Sequence, residues 1–306
     1  MTTSTNTQHP NEPIAKRDLH QHVTNTIIEQ LEKGTIPWHQ PWSDEQRLPG
    51  LPRNAATGKT YRGINVVMLW CAAMGKGYKF QDWATFKQWQ EKKATIRKGE
   101  KGSLIVYYDT MEKEVDGETK EIPFLKSSYV FNRSQLAGNW KPIRKPDLNE
   151  PIAVMESILK VDTFVKNTQV IIDHKGDEAC YIPSLDKIWM PSPAQFITTQ
   201  SCTAVEGYYS TLMHELVHWT GHKTRLDRIK SQKYGDDAYA VEELVAELGN
   251  AFLCAEHEIN LLPKGSHADY IAHWLEILTD NKYAIFKAAG EATKAVDYLQ
   301  SLQAKS

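Results

Sequence analysis

The run His214-Glu215-Leu216-Val217-His218 constrains this chain more than any other feature. One turn of α-helix puts residues four apart on the same face, so both imidazoles can reach a single divalent ion. Glu215 projects beside them, where it can take a proton from a water activated by that ion. The five-residue pattern also occurs by chance, so its surroundings decide its meaning. Thr203-Ala204-Val205-Glu206 has the capping-box form that begins helices, no proline follows before Thr220, and Gly221 supplies a stop. Tyr208, Tyr209, Leu212, Met213, Leu216, Val217 and Trp219 make this helix apolar around most of its circumference, the mark of a buried helix. Two histidines and a glutamate there cost free energy unless they serve a site. Satisfied core histidines beside an exposed glutamate are the ordinary alternative, and the metal reading is favoured over it.

A catalytic zinc takes three protein ligands and leaves one position open. The third is expected downstream, in a helix from Asp237 to Cys254 whose Val241, Leu244, Val245, Leu248 and Phe252 form a core-facing stripe. Glu243 and Glu247, four apart, share a second stripe with Asn250 and Cys254, beside the small residues Ala240 and Ala251. Small neighbours let another helix come close. Glu243 is therefore the favoured ligand, with Glu247 accepting the second ring N–H of a ligand histidine and fixing its tautomer. His222 and Glu247 are the rivals for the third place. A metzincin would carry its last histidine at the position of Thr224, and His222 follows Gly221 too directly to fold back. Ligand type alone does not separate zinc from manganese or cobalt. Cys254 near the metal is a weaker candidate, and Tyr270 or His273 on a later helix are candidates to stabilise an oxyanion.

The 306 residues suffice for two cores. No apolar run approaches a membrane span, the polar start has no signal-peptide core, and four dispersed cysteines without a CxxC pair suit a reduced, cytoplasmic protein. The net charge of −2 hides an asymmetry: residues 1–149 carry 22 Lys+Arg against 16 Asp+Glu, and the remainder is net −8. A basic half fused to an acidic half suggests a polyanion-binding part and a catalytic part. The proline- and charge-rich stretch from Lys141 to Pro151 reads as the linker, dividing the chain into residues 1–145 and 150–306.

In the basic half, Pro13 to Lys33 reads as an amphipathic helix with Leu19, Val23, Ile27 and Leu31 on one face. Ile64 to Met74 and Thr85 to Lys93 read as helices. Ser103 to Tyr108 and Phe124 to Phe131 read as strands, joined by a hairpin tip at Asp116-Gly117. The result is an α+β domain with a small sheet. Within Lys76–Gly102, eight basic residues meet three acidic ones, interleaved with Tyr78, Phe80, Trp83, Phe86 and Trp89. A single-strand binder needs this combination of phosphate-tracking charge and aromatic faces for unpaired bases. Lys79, Trp83, Lys87, Lys92, Lys93, Arg97, Lys98 and Lys101 are the candidate DNA contacts. Core aromatics and a solvated lysine face are the ordinary reading of the same residues. Trp38 and Trp42, held by Pro37 and Pro41, are either stacking platforms or core plugs, with the core preferred. In the acidic half, Pro151 to Lys166 reads as a helix and Val170–Asp173, Ala179–Ile182 and Lys187–Met190 as strands. Ile188-Trp189-Met190 is the candidate edge strand for a substrate peptide.

Taken together, Tyr181-Ile-Pro, Asp186-Lys-Ile-Trp-Met-Pro191, His214-Glu-Leu-Val-His-Trp-Thr-Gly-His222, Arg225-Leu-Asp-Arg228 and Glu242-Glu-Leu-Val-Ala-Glu247 resemble the plasmid antirestriction ArdC family. Pro37-Trp38, Pro41-Trp42, Tyr61-Arg-Gly-Ile-Asn65, Arg97-Lys-Gly-Glu-Lys-Gly102 and Val130-Phe-Asn132 extend the resemblance over nearly the whole chain. It implies an N-terminal single-stranded-DNA-binding domain, a zincin-like metalloprotease domain, and a role in protecting incoming plasmid DNA from host restriction. The protein substrate is unnamed, with host restriction machinery a candidate. Two other readings stay open: a DNA-coating protein whose zincin half is structural or protein-binding, and a peptidase whose basic half recruits a protein. A nuclease fits less well, since phosphodiester chemistry favours carboxylate-rich, often two-metal sites.

Overall fold

A computed structural model describes residues 18–39, 50–115, 118–138, 151–199, 202–229, 237–261 and 267–304. The basic half opens with α1 (Leu19–Glu32). Asp18, in extended conformation, caps this helix by accepting the Gln21 N–H at 3.1 Å. The helix thus begins at Leu19, six residues after the proline where sequence periodicity placed its start, because the Asp18 cap is a stronger local signal than the pattern upstream. Strands β1 (Arg53–Asn54), β2 (Asp82–Ala84), β3 (Ser103–Val115) and β4 (Glu118–Asn132) make a sheet of order β1-β2-β4-β3. Helices α2 (Ile64–Lys76) and α3 (Phe86–Glu91) complete this half. The hairpin β3–β4 runs well past the strands read from sequence, pairing Ser103 with Val130 through to Val115 with Glu118. Its tip, Asp116-Gly117, lies outside the described residues, as does the expected linker at 141–150.

The acidic half begins with α4 (Pro151–Thr168), then β5 (Ile171–His174), β6 (Cys180–Ile182) and β7 (Lys187–Met190). These strands form a sheet of order β5-β7-β6, so β7 is central and β6 is an edge. The expected edge strand Ile188-Trp189-Met190 is therefore corrected. Its alternating burial, with Ile188 and Met190 inward, matches an edge strand equally well, and only the pairing partners decide. Helices α5 (Ala204–Thr220), α6 (Asp237–Glu256), α7 (His267–Asp280) and α8 (Ala284–Ser301) follow.

The two halves share a core. Val23, Ile27 and Leu31 of α1 and Val66, Val67 and Trp70 of α2 belong to the same apolar cluster as Leu216, Leu248, Trp274 and Leu299. Helix α1 packs on α7 and α2 on α8. Polar links cross the same boundary: Thr24 Oγ1 donates to Lys282 O at 2.8 Å, and Arg62 pairs with Asp297. Trp38 is wholly buried with its ring 5.3 Å from that of Trp274, which makes it a core plug; Trp42 lies outside the described residues. No helix among the described residues is long and apolar enough to cross a membrane.

Candidate metal centre and nucleic-acid face

Thr203 caps α5 with the expected box: its hydroxyl accepts the Glu206 N–H, and the Glu206 carboxylate reaches back to the Thr203 N–H. That start sets the phase in which His214 and His218 share one face. Helix α6 lies against α5, and Gly249 faces Val217 across a close contact. A Cβ there would sit 2.8 and 2.9 Å from the two methyls of Val217, so a larger residue would hold the helices apart. The resulting proximity carries Glu243 to the histidine pair.

His214 Nε2 and His218 Nε2 are 3.2 Å apart. Glu243 Oε2 lies 3.5 Å from His214 Nε2, and its Oε1 3.3 Å from His218 Nε2. Bonds of about 2.0–2.1 Å from a tetrahedral ion place neighbouring ligand atoms about 3.3–3.4 Å apart. Glu243 meets the two histidines through different oxygens; each of the three residues offers one ligand atom within 4.8 Å of the others, and the donor set of two imidazoles and a carboxylate suits a divalent ion. All three residues are buried or nearly so. Burial would lower the His218 pKa, but the Glu243 charge and hydrogen bonds to Glu242 and Glu243 outweigh it and push it up to about 10. Burial would likewise raise Glu243, yet the two histidines hold its carboxyl well below the usual range. The carboxylate that favours a proton on His218 would equally favour a divalent cation in its place.

Glu247 lies with Oε1 3.5 Å from His214 Nδ1, beside the cluster rather than in it. His218 has a parallel partner that the sequence reading passed over: Glu242 Oε1, 3.1 Å from its Nδ1. Arg228 grips this carboxylate from below, with Nε 2.7 Å from Oε2 and Nη2 2.9 Å from Oε1, and also donates to Val217 O at 2.7 Å. Glu242 precedes Glu243 by one residue and points differently around the helix, which sequence spacing from Glu243 to Glu247 obscured.

Glu215 is buried, and its Oε2 accepts the backbone N–H of Tyr181 on the edge strand β6 at 2.8 Å. Tyr181 is fixed in turn: its hydroxyl donates to Asp186 at 2.8 Å, and Arg225 bonds both Asp186 and that hydroxyl while lying over the Trp219 ring. The rivals are placed elsewhere. His222 sits in the turn after α5, with Nδ1 2.8 Å from Thr224 Oγ1. Cys254 is fully buried with Sγ 3.2 Å from Asn250 Oδ1, outside the three-residue cluster. His273 faces Glu276 along α7 at 4.0 Å, and the side chain of Tyr270 lies outside the described residues.

The basic window divides differently from its expectation. Trp83 is wholly buried, 5.7 Å from the Tyr78 ring, and offers no face to a base. Its place on β2, a strand not anticipated within this window, puts it between the sheet and α2. Trp89 is also buried and donates its indole N–H to Phe131 O at 2.9 Å. Arg97 directs Nη1 to Ser134 O at 2.8 Å and Leu136 O at 3.1 Å, so it shapes its loop. Lys79, Lys87, Lys92, Lys93, Lys98 and Lys101 are exposed. Aromatic faces that do reach solvent include Phe86, half exposed, and Tyr129 on β4, with Tyr107 and Tyr108 exposed on β3. Phe131 lies between Phe86 and Tyr129, 6.4 Å from Phe86, and Gly102 lies against Tyr129 and Phe131 so closely that a Cβ would meet Tyr129 at 2.9 Å. Tyr129 is an outward residue of an alternating strand, a signal the sequence held.

Comparison with known proteins agrees with this layout. A family model described as the N-terminal domain of anti-restriction factor ArdC matches residues 17–131, and one described as a zincin-like metallopeptidase matches residues 159–291. The y4eC protein of Sinorhizobium fredii (strain NBRC 101917 / NGR234) is 35% identical over 300 residues, 95% of this chain and 94% of its own length. A DNA primase TraC of Escherichia coli is 33% identical over 95% of this chain, which spans 28% of that much longer protein. The metal-free crystal structure of the antirestriction protein ArdC from plasmid R388 is 42% identical, covers 94% of this chain and 98% of its own, and superposes with a TM-score of 0.78. The Mn(II)-bound structure of the same protein is 40% identical over the same shares, with a TM-score of 0.75. The two family models, one for each half, and the close match to the ArdC structure over nearly the whole chain place the chain in the ArdC antirestriction family.

Proposed function

We propose that this protein is a single-stranded-DNA-binding metallopeptidase that acts in the cytoplasm to protect incoming plasmid DNA from restriction. The observation that carries the peptidase reading is the cluster of His214, His218 and Glu243, each offering a ligand atom within 4.8 Å of the others. These three residues would hold zinc, or manganese as in the R388 relative's Mn(II)-bound structure. Such an ion supplies Lewis-acid polarisation of an amide carbonyl and of the attacking water. Glu215 takes the proton from that water and returns it to the leaving amine. Its anchorage through Oε2 on the Tyr181 N–H fixes the carboxylate and leaves Oε1 for the transfer. The substrate peptide, a protein of unassigned identity with host restriction components as candidates, would lie extended along edge strand β6.

DNA would bind on the opposite half, where exposed Lys79, Lys87, Lys92, Lys93, Lys98 and Lys101 accompany the Phe86–Phe131–Tyr129 strip. Lysines there track phosphates and the rings receive unpaired bases. The test is Glu215→Gln in the full chain. Metal binding and salt-sensitive binding of single strands are expected to persist while peptide cleavage falls by about 10²–10⁴. Undiminished cleavage would remove Glu215 from the mechanism. Undiminished protection from restriction alongside lost cleavage would instead favour the DNA-coating reading, in which the zincin half binds without cutting.

A further inference from the structure

We infer that His39, carried by the basic N-terminal half, is a positioning residue of the metal centre and acts on His214 through Glu247. The inference rests on the reading of His214, His218 and Glu243 as metal ligands. His39 lies in the segment after α1, where its N–H bonds Ile36 O at 3.0 Å and Trp38 is locked against Trp274 of α7. That lock aims the imidazole at α6. His39 Nε2 is 3.3 Å from Glu247 Oε2, and Glu247 Oε1 is 3.5 Å from His214 Nδ1. The side chains of His39 and Glu247 are 14% and 5% exposed, so the chain of contacts is shielded from water.

A buried carboxylate is costly unless donors hold it. Glu247 has an imidazole at each oxygen, one from the metal helix and one from the other half of the chain. A carboxylate that accepts from the outer nitrogen of a ligand histidine fixes its tautomer and ring orientation, presenting Nε2 to the ion. Loss of the His39 contact would remove one restraint on the carboxylate and, through it, on the ring of His214. With His39 on its second oxygen, the carboxylate has its plane set. His218 receives the equivalent service within the acidic half, from Glu242 gripped by Arg228. The two ligand histidines are thus oriented from two different halves of the molecule.

The test is Mn(II) affinity of the full chain, measured by isothermal titration and by the spectrum of the Co(II)-substituted protein, neither of which requires turnover. His39→Leu is expected to weaken Mn(II) binding about tenfold or more and to alter the Co(II) spectrum. His39→Gln, whose amide nitrogen takes the place of Nε2, is expected to retain affinity within about threefold, whereas His39→Asn, whose amide falls short, is expected to resemble leucine. If the leucine variant does not fold, the Gln and Asn pair decides. In a Glu247→Gln background the His39 substitution should add almost nothing, since the path is already cut. Equal affinity of the unaltered, Leu and Asn forms, or additive losses in the double variant, would overturn the inference while leaving the metal site standing. No Mn(II) binding by the unaltered chain would remove both.

Discussion

Gly249→Ala tests whether the metal site depends on the contact between α5 and α6. Alanine in mid-helix normally gains about 1 kcal/mol over glycine. Here its Cβ would fall 2.8 Å from one methyl of Val217 and 2.9 Å from the other. Carbon atoms pack at about 3.5–4.0 Å, so the helices must part locally by roughly 0.7 Å. Val217 cannot swing aside, being wholly buried and β-branched in a helix. Overpacking of this kind costs about 1–3 kcal/mol, which outweighs the propensity gain and leaves a net loss of about 1 kcal/mol. The same parting exceeds the ±0.2 Å or so that metal–ligand distances tolerate, so Mn(II) affinity should fall by about tenfold or more. Urea unfolding and Mn(II) titration read the two effects, with Gly290→Ala on α8 as control. A Cβ at Gly290 meets nothing within 4 Å, so that variant should gain about 0.5–1 kcal/mol and keep its affinity. A Gly249→Ala protein that is stabilised like the control and binds Mn(II) normally would refute the reasoning.

Three further outcomes follow from the same geometry. Arg228→Met strips Glu242 of both guanidinium bonds in a buried setting and should cost about 3 kcal/mol, with Arg228→Lys recovering little because the two-pronged grip is lost; a cost under about 1 kcal/mol on unfolding would show that the pair is not structural. Phe86→Ala and Tyr129→Ala should each weaken single-strand binding by about 1–3 kcal/mol in fluorescence titrations, and unchanged affinity would move the DNA face elsewhere. Burial lowers the His257 pKa from 6.5 to about 4. The unfolded chain therefore takes up a proton first as pH falls, so His257's contribution is intact above 6.5 and is lost between 6.5 and about 4, by up to about 3 kcal/mol. His257→Gln should flatten that part of the stability profile, and parallel curves for both proteins would place its origin in other groups.

The sequence made helix α5 legible because its signals are local: a capping box, a phase and a stop all lie within twenty residues. Glu243 could be reached by helical periodicity, and Glu247 with it. Arg228 and His39 could not, since both arrive through loops whose path depends on packing against distant helices. The aromatic window failed in the opposite way. Composition showed rings among lysines but not which rings the sheet would swallow; β2, three residues long, carries too weak an alternation to announce that Trp83 lies inside. Helix α8 escaped notice because its core face is built largely of alanine, Ala288, Ala289, Ala292 and Ala295, which a hydrophobic pattern barely registers.

The apolar cluster shared by α1, α2, α7 and α8 has a consequence for inheritance. Severing the chain between its halves would strip Trp274 of its partner Trp38 and expose apolar helix faces on both fragments. Recombination that moves either half alone would then deliver a protein with an open flank, whereas the pair travels as a closed body. The TraC primase matches 95% of this chain within a protein more than three times its length, as expected of a cassette exchanged whole.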